Sequence, residues 1–527
     1  MELLILELEW GRSKMKPEEY VIDADKFVFA DQNRKISDKE LVTKPVGYFK
    51  DALNRFTKNK ASIVAFFIIV FLVLFAIFGP IFTKYTVSYN DSRMSYCLPK
   101  SKLFSKMGFW DGTSKKDTLQ YDFYLNYGIG VETGHNAVKN QKYETYTSIN
   151  ASKKEVVHYV YRLDSYAKTG VIFMNLSETE YKQIQAYQNE TKHQVIYPMT
   201  DSELRPKSIK DENNANYWFM TKDVSGNSAP VFDSNNNYIN IYLKNVEDDY
   251  SSTRINGDDG SYSYAEKNQT GYNVRISYYD YYVYYHSYVL KDGINEPSFL
   301  FGSTHSGQDI FTCLAHGARF SFLLAISISI VNLFVGAIYG AIEGYYGGKI
   351  DLIMERVVEI LSAVPFMVVI TLLKYHMGST SQVLVLFIAF FLTGWIGMAG
   401  KTRMQFYRFK NQEYVLAART LGASDGRIMF KHIFTNAIGT LITSCVLIIP
   451  STIFSETSLS YLGIINLNTG NLTSIGTLLS NAQPYLSSYP YMIVFPAIFI
   501  CLLMLSFNLF GNGLRDAFNP SLRGSEE

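Results

Sequence analysis

Asp351, Glu355 and Glu359 recur every fourth residue in one stretch, so a helix would stack their carboxylates along one stripe. Such a stripe can hold a metal ion or pass protons. The simpler reading is that these acids begin a membrane-crossing helix, where the positive end of its dipole favours anions, with Arg356 nearby. Glu456 is a single ionisable group near the end of another apolar run. It suits either a contact along a polar pathway or, more simply, a hydrogen-bonded anchor for that end. His135, His158, His193 and His286 show no metal-ligand spacing, and no nucleophile elbow is present. The G-x-x-x-x-G-K-[ST] pattern is absent, and residues 128–134 (GIGVETG) read as a glycine-containing loop without the lysine. The chain therefore lacks the motif that cradles ATP phosphates.

The remaining candidate is mechanical. Residues 413–433, EYVLAARTLGASDGRIMFKHI, form a polar, basic helix–glycine–helix segment between apolar runs at 382–400 and 437–459. Its candidate contact residues are Glu413, Ala417, Ala418, Arg419, Gly422 and Asp425. The small face of Ala417, Ala418 and Gly422 suits close docking into a groove. Asn411 is placed to cap a helix over 412–421, Gly422 to turn the chain with positive φ, and Ser424 to cap a helix running into the next apolar run. A helix held at both ends can carry a push into the membrane.

The elements that would position this segment follow from hydropathy. The chain has 527 residues, 47% of them hydrophobic, and a net charge of +1, which argues against nucleic acid as its main partner. Six apolar runs can cross a bilayer: 61–82, 320–342, 353–373, 382–400, 437–459 and 491–510. Lys58 and Lys60 precede the first, and Lys349 and Arg356 flank the turn between the second and third. Lys401, Arg403, Arg408, Lys410, Arg419, Arg427 and Lys431 crowd the segment between the fourth and fifth, whereas 461–490 carries no Lys or Arg. The charge bias places both termini in the cytoplasm. Residues 1–60 are then a cytoplasmic tail, with Met15 a second candidate start. Its end, 47–60, reads as an amphipathic interfacial helix with Phe49, Leu53 and Phe56 on one side. The first run starts too late for a cleavable signal and is expected to stay as an anchor.

The expected fold is a polytopic α-helical membrane protein with a large extracellular insertion, mainly β or α+β, over 83–300. A core over 301–511 carries the cytoplasmic loop 401–435, and 512–527 is a cytoplasmic tail. Alternating stretches at 156–163, 237–243 and 273–285 read as strands, with the tyrosines of 278–285 on a half-buried strand face and a turn cluster at 256–260. Four cysteines are too few for a disulfide framework and read as buried thiols. Gly336, Gly340 and Gly344 let a neighbouring backbone approach closely, in ordinary helix packing or in an interface that moves. Pro365, Pro450 and Pro496 fall inside runs and mark bends.

Residues 301–523 resemble the C-type permease subunit of bacterial oligopeptide and dipeptide ABC importers. FGSTHSGQDIFTCLAHGARFS (301–321) is similar to that family's approach to its second span, and GYYGGKIDLIMERVVEILSAVP (344–365) to its next turn. SETSLSYLG (455–463) and NLFGNGLRDAFNPSLR (508–523) complete the ordered set. In the family's EAAxxxG loop motif Leu416 stands in place of the Glu, and Thr435 replaces a later Pro. Gln308 replaces an Arg, and Asn512 and Asn519 replace acids. The resemblance implies the ABC importer permease fold in the plasma membrane and no covalent chemistry in this chain. It implies a second homologous permease, two cytosolic ATPases using ATP and Mg on the loop at 401–435, an extracellular peptide-binding lipoprotein and a peptide substrate. Dipeptides, nickel or signalling peptides are alternative cargoes. A membrane-anchored surface enzyme with its activity in the insertion is an alternative of a different class.

Overall fold

Asn59 joins the first two helices and caps the second, accepting a hydrogen bond from the Ser62 amide at 3.3 Å. The computed structural model describes residues 48–204, 214–222, 228–230, 240–244, 262–377, 381–467 and 472–518. The chain divides into two units, Met1–Asp51 and Ala52–Glu527; of the first, only the opening turn of one helix is described. That helix, α1, is Tyr48–Lys58, and the apolar α2 is Lys60–Phe82. Phe56 packs edge-on to Phe510 and is buried with Ala52 and Ala517, while Leu53 faces outward. Part of the amphipathic face thus docks on the last helix of the chain; the Phe49 side chain lies outside the described residues.

The inserted region is α+β. In order it runs β1 (Thr113–Leu119), α3 (Gln120–Thr133), β2 (Val138–Ile149), β3 (Glu155–Asp164), β4 (Val171–Leu176), α4 (Glu178–Thr191), β5 (Ile196–Tyr197), β6 (Met220–Lys222), β7 (Ser228–Pro230), β8 (Ala265–Lys267), β9 (Tyr272–Ser277) and α5 (Tyr278–Tyr284). The strands pair antiparallel in three sheets, β1-β3-β2, β4-β9-β5 with β8 also on β9, and β6-β7. Three local expectations change. The tyrosine run is helical, because Ser277 accepts a bond from the Asp280 amide and caps α5; a π turn, Tyr285–Leu290, follows. Residues 128–133 belong to α3, where Gly128 leaves room for the Phe219 ring and Gly134 ends the helix at φ +76°. The strand expected at 237–243 lies partly outside the described residues, and Tyr242 makes only an isolated bridge to Thr200. The turn cluster at 256–260 is wholly outside them.

A buried carboxylate fastens the insertion's helices together. Asp280 Oδ1 lies 2.7 Å from His135 Nε2 and 2.7 Å from His193 Nε2, the second off the angle of a hydrogen bond. The carboxylate beside it holds His193 above its ordinary value of 6.5, against the pull of partial burial. Burial pushes Asp280 up, but the two imidazoles outweigh it and leave Asp280 below 3.8. The raised His193 pKa contributes stability below pH 6.5 that is lost as pH rises through the folded value, while that of Asp280 is lost only under strong acid. Limited proteolysis of the reconstituted protein should therefore cut the insertion faster at about pH 8 than at about pH 6, and Asp280→Asn should flatten that difference.

The remaining helices are α6 (Ile310–Tyr346), α7 (Gly348–Ser362), α8 (Phe366–His376), α9 (Gln382–Gly394), α10 (Ile396–Phe409), α11 (Glu413–Thr420), α12 (Asp425–Arg427), α13 (Phe434–Tyr461), α14 (Ile475–Ala482) and α15 (Tyr491–Phe518). Among the described residues, five spans are long and apolar enough to cross a membrane: Lys60–Phe82, Ile310–Tyr346, Gln382–Phe409, Asp425–Tyr461 and Tyr491–Phe518. The expected third span is instead a helix pair, α7 and α8, bent by 71°. Pro365 explains the break, because a proline forces the residue before it out of helical geometry. Pro450 and Pro496 lie within continuous helices. The main core joins Leu72 and Ala76 of α2, Leu314 and Phe322 of α6, Ile453 of α13, Leu478 of α14 and Leu503 of α15. Cys97 and Cys313 are buried and Cys445 is half-buried, but Cys501 is exposed on α15, so the buried-thiol expectation fails there.

Candidate coupling site

Gly336, Gly340 and Gly344 set how the site is built. A methyl group on any of them would collide with α10 or its N-cap: with Trp395 O at 2.6 Å, Ala399 O at 2.1 Å, or Phe406 Cβ at 2.7 Å. The glycines therefore seat α10 directly against α6 of the same chain, which carries the end of α6 to the segment that follows α10. There Lys410 Nζ donates to Gly344 O at 3.0 Å.

From that junction the chain forms α11, then Leu421 and Gly422. Gly422 has φ +80°, a left-handed conformation that glycine adopts without steric cost, and its amide donates to Arg419 O at 3.0 Å. The Ala423 amide donates to Ala418 O at 3.1 Å, so the amides of Leu421, Gly422 and Ala423 close carbonyls at the end of α11. The expected capping differs in detail. Gln412, not Asn411, is the N-cap of α11, and neither it nor Ser424, the N-cap of α12, makes a side-chain capping bond. After α12 a π turn, Ile428–Ile433, leads without interruption into α13, so the part of the segment from Asp425 on and its neighbouring span are one continuous element.

Val415 is the inward pin of α11. It is 0% exposed, in a cluster with Ala341, Tyr345, Phe406, Ile428, Met429 and Ile433. Tyr345, in the last turns of α6, donates its hydroxyl to Asp425 Oδ1 at 2.6 Å, and the Arg419 guanidinium lies 5.9 Å from the centre of its ring. The outward face carries Glu413, Leu416, Ala417 and Gly422, with Leu421 88% exposed; Ala418 is half-buried. Of the six residues expected to make contacts, Arg419 and Asp425 thus also hold the segment to α6. The arrangement is a short helix pinned from within, with small and apolar residues on its outer side, joined by the Gly422 turn to a helix that continues into a membrane-crossing span.

Arg403 is a second centre beside it. Its Nε donates to Asp351 Oδ1 at 2.7 Å and its Nη1 to Glu355 Oε2 at 2.9 Å; Glu343 Oε1 is 3.5 Å from Nε. Tyr407 also donates to Asp351. Glu359 points elsewhere and pairs with Arg356. All three stacked acids are therefore ion-paired, two of them with Arg403, and among the described residues no group of three His, Cys, Asp or Glu could hold a metal. Arg403 was counted in the sequence only as a positive charge, because the three acids it gathers sit on two other helices. Its ties matter for α7, which buries none of its own residues in this chain.

Glu456 is 0% exposed and accepts bonds from Ser321 Oγ at 3.1 Å and Ser460 Oγ at 3.0 Å. It joins α6 to α13 inside the helical core. Next to it lies α14, in the stretch 461–490 that the sequence marked only by its lack of Lys and Arg. Its signal was present in Ser474, whose hydroxyl accepts from the Thr477 amide at 3.1 Å, followed by apolar Ile475, Leu478, Leu479 and Ala482.

Comparison with known proteins bears on these helices. Residues 332–524 match the family model described as a binding-protein-dependent transport system inner membrane component, and 47–99 match the N-terminal TM domain of oligopeptide transport permease C. The oligopeptide transport system permease protein OppC of Bacillus subtilis (strain 168) is 43% identical over 42% of this chain and 72% of its own length. The chain belongs to the oligopeptide and dipeptide permease C family. The dipeptide transport system permease protein DppC of the same organism is 39% identical over 42% of this chain and 69% of its own length. The solved inward-facing MetNI methionine ABC transporter is similar at TM-score 0.32 and 12% identity, over 39% of this chain and 96% of that one. The assignment rests on the family models and the sequence relatives, not on that likeness. The permease is thus a multi-pass membrane protein with the helical fold of ABC importers. The match over 47–99 extends the kinship to α1 and α2, beyond the 301–523 on which the sequence resemblance rested. Residues 100–331, with most of the insertion, fall outside both family models.

Proposed function

We propose that this permease forms half of the translocation pathway of an ATP-driven oligopeptide importer and takes its drive through α11. The observation that carries the reading is the pinned segment at 413–425: Val415 and Tyr345 hold it to α6, while Leu416, Ala417 and Leu421 stand free on its outer face. Closure of two cytosolic ATPases around bound ATP would press this segment and its counterpart together and tilt α13. The pathway would then open outward, and hydrolysis would reset it inward and release peptide to the cytosol. The family relationship supports ATPase and substrate-binding partners, here a second homologous permease, two ATPases and an extracellular peptide-binding lipoprotein. ATP and Mg act in the ATPases.

The bent pair α7–α8 serves as the sixth span in this reading. Both termini face the cytoplasm and the insertion faces outward, in keeping with the cluster of Lys and Arg around α11. There the insertion contacts the binding protein or shields the mouth of the pathway.

Purification of the tagged permease from its own cells tests the proposal. The complex should contain a second permease, two ATPases and bound peptide, and labelling from outside the cell should reach the insertion and not α11. An assembly without an ATPase, or α11 labelled from outside, overturns it.

A further inference from the structure

A closed loop at the base of the insertion carries an apolar tip. Lys100 and Asp111 pair as an isolated bridge, and the Ser101 amide donates to Trp110 O at 2.9 Å, so residues 101–110 leave and return at one point. Inside the loop Phe104 stacks on Phe109, with ring centres 5.3 Å apart, and meets Trp110 edge-on at 5.2 Å. Leu103, Met107 and Phe109 point away, 69%, 70% and 50% exposed. Neighbouring large apolar side chains left bare on one small loop mark a surface that something apolar covers.

Two contacts fix the height of this tip. The Trp110 ring packs 5.7 Å from that of Phe495, in the second turn of α15, whose neighbours Val494 and Ile498 are exposed along the membrane-crossing helix. Lys102 lines a cleft of about 150 Å³ with Lys84, which follows directly on the C-cap of α2, and pairs there with Glu296 at 3.2 Å. The loop therefore lies level with the ends of two spans, where the apolar layer of a bilayer gives way to headgroups. Tryptophan and lysine are the residue types that favour that depth.

We propose that residues 101–110 form a membrane-interface anchor. Leu103, Met107 and Phe109 enter the headgroup–acyl boundary of the nearer leaflet, and Lys84, Lys102 and Lys106 lie among lipid phosphates. The anchor ties the insertion to the bilayer at a point separate from its two chain connections and limits its tilt over the helical core. This requires only that α2 and α15 cross a membrane, and it holds whichever side the insertion occupies.

Spin labels test it in the full-length protein, reconstituted in phosphatidylethanolamine–phosphatidylglycerol vesicles. Single cysteines replace Leu103, Met107, Ser152 or Ile498 in a background with Cys445→Ser and Cys501→Ser, since Cys97 and Cys313 are buried. Ser152, in the β2–β3 turn, is the aqueous reference, and Ile498 the lipid reference. Labels at 103 and 107 should be relaxed strongly by oxygen and weakly by a water-soluble nickel chelate, as at 498 and opposite to 152. Nickel accessibility at 103 and 107 matching that at 152 overturns the anchor. So does protection from both reagents, which would show a protein covering the tip.

Discussion

Gly422→Pro is expected to abolish peptide uptake while the membrane-embedded core stays folded. Proline fixes φ near −65°, whereas Gly422 stands at +80°, and proline also removes the amide that bonds to Arg419 O. The turn between α11 and α12 then cannot form as it stands. No heavy atom lies within 4 Å of where a Cβ would sit, so the defect is one of backbone conformation and not of crowding. Gly422→Ala should accordingly cost only about 1–2 kcal/mol of turn stability, and Gly422→Asn less, since Asn tolerates the left-handed region. In proteoliposomes containing all subunits, the proline variant should hydrolyse ATP without moving peptide, with alanine intermediate and asparagine near normal. Uptake by the proline variant at the unmodified rate would show that α11 is not a lever.

Arg403→Met should have the next largest effect. It strips the cation from Asp351, Glu355 and the buried Glu343 at once, and leaves α7 held by its turn to α6, the Tyr407 bond to Asp351 and the Tyr339 hydroxyl on Met354 O. Breaking a fully buried ion pair costs about 3–5 kcal/mol; partial exposure of Glu355 reduces this to about 2–3 kcal/mol. Arg403→Lys keeps the charge but cannot bond two acids through one planar fork, so it should fall between. Thermal unfolding in nanodiscs reads the stability. Cross-linking of cysteines placed on α7 and α10 reads whether the two helices have parted. A variant as stable as the parent, with full cross-linking, would show the cluster to be incidental.

The sequence displayed the coupling segment well because its signals are local. A charged stretch between apolar runs and a glycine at a helix end both read from neighbours in the chain, and Gly422 adopts the expected positive φ. The partners of that segment were not legible. Tyr345, Val415 and Ile428 converge only after α6, α10 and α13 have packed. The acids at 351 and 355 looked self-contained as a stripe, yet the group that explains them is Arg403, three helices further along. Hydropathy found the apolar content of α7 and α8 but smoothed over the break at Pro365, which depends on one residue's geometry. In the insertion, the alternation of tyrosines suggested a strand, while the cap at Ser277 had already turned the chain into a helix.

The close contact between α2 and α6 bears on how the protein is made. Gly79 of α2 lies so near Ala315 of α6 that an added methyl would come within 2.9 Å, and Arg319 reaches back to the carbonyl of Ala76. Yet the whole insertion separates these helices in the chain. At ordinary rates of translation α2 waits roughly 10–45 s on the ribosome's schedule before its neighbour emerges. During that interval it has to remain in the bilayer unaided, and it is the most apolar of the five long helices. Its bare phenylalanines at 67, 71 and 82 equip it to stand as a solitary anchor until the rest of the bundle arrives.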